Sequence, residues 1–129
     1  MTAGEFDRIV ERACAQIPAR FRRRLRNVVF VVEPEPSDAQ LASLRVGRGG
    51  TLLGLYEGRP LTSRSVSDPF AMPDRITIFQ GPHERAAGNL AHLEQLVAGT
   101  IWHEVAHYFG MDERQVRTAE RARAGRNRK

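Results

Sequence analysis

Several things are scarce in this 129-residue chain, and each scarcity excludes something. There is one cysteine, Cys14, so no disulfide can close within the chain; it reads as a small buried apolar residue on an amphipathic helix. Lysine occurs once, at Lys129, so the positive charge is almost all arginine. No stretch approaches the ~20 consecutive apolar residues that a membrane-spanning helix needs. Residues Met1 to Asp7 lack the basic start and apolar run of a secretory signal. A cytoplasmic location without membrane association is the expectation. Gly47, Gly49 and Gly50 lack the strand-to-helix context and the lysine of a phosphate-binding loop, so they read as a plain flexible loop. No internal repeat is visible.

What is present suits one domain. A hydrophobic content of 41% supports a single modest core. The expected organisation is one domain over residues 1–120 and a basic, flexible C-terminal tail over 121–129. The net charge of +5 is unevenly placed. Arg20, Arg22, Arg23, Arg24 and Arg26 give +5, residues 114–129 give +6, and the remainder is therefore −6. Two basic segments of this kind can face an anionic partner such as nucleic acid or acidic protein. No aromatic residue is interleaved in the tail to stack on bases, so a solvated face is the favoured reading.

Hydrophobic periodicity places the elements. Phe6, Ile9, Val10, Ala13 and Ile17 share one face of a helix expected from Glu5 to Ile17, which Pro18 ends. Phe21 and Leu25 suggest one more turn. Val28 to Val32 reads as a buried strand stopped by Pro34 and Pro36. Ser37 and Asp38 can cap a short helix from Ala39 to Leu44. Leu52 to Tyr56 and Arg75 to Phe79 read as two further strands, with Gly81-Pro82 ending the second. Strands interspersed with helices, without regular βαβ spacing, predict an α+β fold.

The most informative segment is Trp102 to Glu113. From His103 it reads H-E-x-x-H-x-x-G-x-x-E. Histidines four apart lie on one helix face, about 6 Å along the axis, and can reach one zinc ion. Glu104, beside the first histidine, can polarise a zinc-bound water. The flanks Thr100-Ile101-Trp102, Val105-Ala106 and Tyr108-Phe109 are uncharged, as a buried helix requires. Polar side chains set in such a helix need a partner, and a metal would be one. Gly110 can end the helix at φ > 0 and turn the chain back toward the ion. Glu113 is the first candidate for a third ligand and Asp112 the second. Both also suit the N-cap and first turn of a following helix, Glu113 to Ala124. Two histidines and one carboxylate match a catalytic zinc, which keeps a position open, better than a structural one.

These residues resemble the zincin metallopeptidases on the metzincin side, and most closely the very short bacterial zincin-like proteins called minimal metallopeptidases. Leu52 to Leu61 and Pro73 to Phe79 also resemble that family, so the likeness spans roughly residues 5 to 120. Where full-size metzincins carry histidine or aspartate as third ligand this chain has Glu113, and no methionine follows it. The resemblance implies a minimal zincin-like domain: a small mixed sheet, one active-site helix and zinc-dependent hydrolysis of a peptide or protein. It further implies that Arg75–Phe79 is the sheet edge to which substrate adds as an extended strand.

The expected chemistry follows. His103, His107 and Glu113 hold Zn2+, and Glu104 serves as general base. By residue type Tyr108, Tyr56 and His83 are candidates to stabilise the oxyanion. His92, eleven residues before His103, sits about 16 Å away along the helix and is not expected to bind the metal. Two other readings stay open: a zincin-fold binding module without hydrolysis, and a basic nucleic-acid-binding domain.

Overall fold

The computed structural model describes residues 1–43, 52–58 and 73–111, together with Arg114, Gln115 and Thr118. The expected helix Glu113 to Ala124 and the tail therefore lie largely outside the described residues, as do Leu44 and the glycine loop.

Helix α1 spans Ala3–Ala15. Thr2 caps it: its Oγ1 accepts from the Glu5 N–H at 3.1 Å, and Glu5 sits three residues on, as in a capping box. Phe6, Ile9, Val10 and Ala13 form its buried face. Pro18 separates it from a single turn, α2, Ala19–Arg22. Asn27 adopts φ 57 and turns the chain into strand β1, Val28–Glu33. Helix α3, Asp38–Ser43, has its own reciprocal cap between Ser37 and Gln40. Strand β2 is Gly54–Glu57 and strand β3 is Asp74–Phe79. The chain then passes directly into α4, Gln80–Ala86, and on to α5, Leu90–Tyr108.

The three strands form one mixed sheet in the order β1-β3-β2. β1 runs parallel to β3 from Val28↔Asp74 to Glu33↔Phe79, and β2 runs antiparallel to it from Gly54↔Ile78 to Glu57↔Arg75. This corrects one expectation. Arg75–Phe79 is the central strand, not an edge, because it hydrogen-bonds a neighbour on each side. The architecture, a small mixed sheet with one long helix, is of the expected α+β class.

The main core lies between the sheet and the helices α1 and α5. Phe6, Ile9, Val10, Ala13 and Ile17 meet Ile76 and Ile78 of β3 and Leu93, Val97, Ile101, Trp102 and Val105 of α5. Each large apolar side chain buried this way contributes about 1.5–3 kcal/mol. The ion pair joining the same two helices, Arg12–Glu94 at 3.6 Å, links exposed side chains and adds at most about 1 kcal/mol. Apolar contact therefore holds α1 to α5. A smaller cluster of Leu52, Leu55 and Phe79, with Leu41 against it, covers the other sheet face. Cys14 packs against the main core, and burial, with the Glu11 charge beside it, pushes its thiol up to about 11. It is a neutral filler at physiological pH. No helix of the described chain is long and apolar enough to cross a membrane.

Candidate metal centre

Helix α5 carries the histidines, and its two ends are firmly set. Asn89 caps the start, its side chain accepting from the His92 N–H at 2.8 Å. At the other end Gly110 adopts φ 73. Its N–H donates to the His107 carbonyl at 2.9 Å and the Met111 N–H to the Ala106 carbonyl at 3.0 Å. That pair of bonds is a Schellman motif, and glycine is the residue that enters it without steric cost. Between these ends the helix is buried nearly all round from Val97 onward.

His103 and His107 lie one turn apart with ring centroids 4.6 Å apart and planes at 73°. Both are partly exposed, while Glu104 between them is 7% exposed. One ligand atom from each of the three lies within 4.8 Å of the others. Two nitrogens bound at 2.0–2.1 Å around a tetrahedral ion stand about 3.4 Å apart, so atoms within 4.8 Å of one another need only small rotations to share one ion. The two imidazoles are a donor type zinc prefers.

Strand β2 fixes Glu104. Oε1 accepts from the Tyr56 N–H at 2.9 Å and lies 3.3 Å from His107 Nδ1. Oε2 has no hydrogen-bond partner among the described residues. A buried carboxylate is thus anchored by one oxygen through a main-chain donor while the other remains available. The approach of β2 to α5 depends on Gly54. A Cβ there would stand 2.5 Å from Thr100 Cγ2, 3.3 Å from Glu104 Cγ and 3.3 Å from the Thr77 carbonyl oxygen. Only a residue without a side chain lets the strand come close enough to donate to Glu104. The strand beside the His103, Glu104 and His107 cluster is therefore β2, an edge of the sheet among the described residues.

The three side chains considered for the oxyanion have other attachments. Tyr108 is fully buried; its hydroxyl donates to the Arg26 carbonyl at 3.0 Å and accepts from the Arg26 N–H at 3.2 Å. The Tyr56 hydroxyl donates to Asp74 Oδ2 at 2.5 Å. His83 is in helix α4 and is fully buried. Its Nδ1 lies 2.7 Å from the Phe79 carbonyl and its Nε2 2.9 Å from Thr100 Oγ1. Burial lowers its pKa below the usual histidine value, against a smaller rise from the bond to Phe79. His92 is exposed at the far end of α5, where its ring accepts from the Gly88 N–H. Asp112 and Glu113 lie outside the described residues. The sequence reading passed over two participants, Gly54 and the Tyr56 main chain. A glycine inside a strand signals close approach of another group, and Gly54 carried that signal.

A family model described as zincin-like metallopeptidase matches residues 25–122. Among solved structures, a conserved hypothetical protein from T. thermophilus is similar, with a TM-score of 0.55 and 25% identity. That match covers 84% of this chain and 94% of the other. None of the curated proteins compared with the chain gives a significant match.

Proposed function

Given that the chain belongs to the zincin-like metallopeptidase family, we propose that it hydrolyses peptide bonds at a zinc ion bound on helix α5. The observation that carries this reading is the anchoring of Glu104. A structural zinc has no use for a buried carboxylate beside its first histidine, held by one oxygen and open at the other. A general base does.

His103 and His107 would hold the metal through neutral imidazole nitrogens, with Glu113, or failing it Asp112, as third ligand. Zinc supplies Lewis acidity, bringing the pKa of its water toward about 7 and polarising the scissile carbonyl. Glu104 takes the water proton on its open oxygen and passes it to the leaving amine. The Tyr56 N–H holds the other oxygen, so the carboxylate turns little during the transfer. A peptide substrate would add to β2, the edge on the metal side, through main-chain hydrogen bonds that carry little side-chain preference. The chain thereby acts on extended segments of peptide or unfolded protein.

Glu104→Gln tests the assignment, since it keeps the size of the side chain and removes the base. The variant is expected to retain the zinc content of the wild type and to lose cleavage of a peptide library by at least about 100-fold. A variant that cleaves as fast as wild type would sink the mechanism. Loss of zinc together with activity would instead make Glu104 part of the ligand set.

A further inference from the structure

The sheet has two edges with different surroundings. The β2 edge faces the metal cluster, and the β1 edge has no neighbouring strand among the described residues. β1 reads Val28-Val29-Phe30-Val31-Val32-Glu33, a run of β-branched and aromatic residues with high strand propensity. Parallel pairing determines which of its main-chain groups are engaged. The Asp74 N–H donates to the Asn27 carbonyl at 2.8 Å, and the register continues to Glu33↔Phe79. The N–H and C=O groups of Val29, Val31 and Glu33 therefore point at β3, and those of Val28, Phe30 and Val32 point outward. Among the described residues nothing pairs with the outward groups. Val29, on the sheet face away from α5, is 43% exposed, one of few large apolar side chains so placed among the described residues.

Natural edge strands are normally blunted by a central charge, a proline or a bulge, and the five residues Val28–Val32 carry none of these. Charge is concentrated at the two ends instead. Arg22, Arg23, Arg24 and Arg26 lead into the strand, all exposed and outside any ion pair among the described residues. Glu33 closes it.

We propose that β1 pairs antiparallel with β1 of a second copy of this chain, about a twofold axis at Phe30, joining the two sheets into one. The register follows from the alternation. Outward groups can meet only outward groups, so Val28 faces Val32 of the second copy, Phe30 faces Phe30, and Val32 faces Val28. Each such pair exchanges two hydrogen bonds. Val29 then lies across from Val31 of the second copy, a close β-branched pair that covers the exposed side chain. The antiparallel sense also sets the arginine-rich end of each strand beside the other's Glu33, whereas an unrelated strand would need to match both ends by chance. This self-complementarity of pattern and charge selects a second copy as the occupant. The metal cluster lies at the opposite edge and remains open in the dimer.

Sedimentation equilibrium of the full chain over a concentration series, with amide exchange at the two extremes, tests the proposal. The mass is expected to approach twice that of the chain. The Val28, Phe30 and Val32 amides should lose protection on dilution, while Val29 and Val31, bonded to β3, keep theirs. Val29→Lys, at a position already exposed, should raise the midpoint concentration of dissociation at least about tenfold and leave zinc content unchanged. A single-chain mass at the highest concentration reached would overturn the proposal. So would a dimer whose β1 amides exchange alike at both extremes, or one indifferent to Val29→Lys.

Discussion

Adding one methyl group at Gly54 probes the contact on which the site depends. In Gly54→Ala the new Cβ would stand 2.5 Å from Thr100 Cγ2, well inside van der Waals contact, and 3.3 Å from both Glu104 Cγ and the Thr77 carbonyl oxygen. Thr100 cannot easily move: its Oγ1 lies 2.9 Å from His83 Nε2 and 3.0 Å from the Leu96 carbonyl oxygen. Strand β2 must therefore lift from α5. Overpacking of this kind costs about 1–3 kcal/mol. Replacing glycine also restricts the unfolded chain, which returns about 0.4–1 kcal/mol. The net expectation is a loss of about 1–2 kcal/mol, or about 4–8 °C in Tm for a chain of this size. Denaturant and thermal unfolding of the metal-free protein give both numbers. The decisive partner is Thr100→Ser, which removes Cγ2 and keeps Oγ1. Gly54→Ala should be substantially milder in the Thr100→Ser background, with a coupling energy of at least about 0.5 kcal/mol. Unchanged stability of Gly54→Ala, or strictly additive effects of the two substitutions, would refute the close-approach argument.

Two further substitutions address the frame around the site. Tyr108→Phe removes the hydroxyl that serves both the N–H and the carbonyl of Arg26, and should cost about 1–2 kcal/mol in denaturant unfolding; a change under about 0.5 kcal/mol would mean that water replaces it freely. Burial lowers the folded-state pKa of His83 below its unfolded value of 6.5, so the unfolded chain takes up the proton first. Its contribution is complete above pH 6.5 and is lost as pH falls from there toward the folded pKa, with a slope of at most about 1.4 kcal/mol per pH unit. Unfolding of the metal-free protein between pH 8 and 5 should show that slope in wild type and lack it in His83→Gln, and identical pH profiles would contradict the buried neutral imidazole.

The parts of this structure that were legible in the sequence are those set by neighbours along the chain. The apolar spacing of Phe6 to Ile17 marked α1 and Gly110 marked the end of α5, because period and cap are local properties. The pair His103 and His107 was legible for the same reason. Strand order was not, since pairing partners are distant in sequence: nothing local tells that Asp74–Phe79 takes β1 on one side and β2 on the other. Gly81-Pro82 looked like a terminator, yet both residues sit in the first turn of α4. There a proline costs little, because first-turn N–H groups have no partner within the helix. The Gly81 N–H is satisfied from outside by the Pro34 carbonyl at 2.9 Å. Tyr56 was noticed for its hydroxyl, but the group that touches Glu104 is its main-chain N–H, which every non-proline residue has and no side-chain pattern reveals.

Everything proposed for the site depends on a zinc ion held on α5 by His103 and His107. Elemental analysis of protein purified without chelator or metal-affinity tag, beside His103→Ala prepared in the same way, tests it most directly. About one zinc per wild-type chain is expected, and loss of that zinc in the variant. A wild-type chain that holds no zinc even after incubation with the ion at neutral pH, or a variant that keeps a full complement, would contradict it.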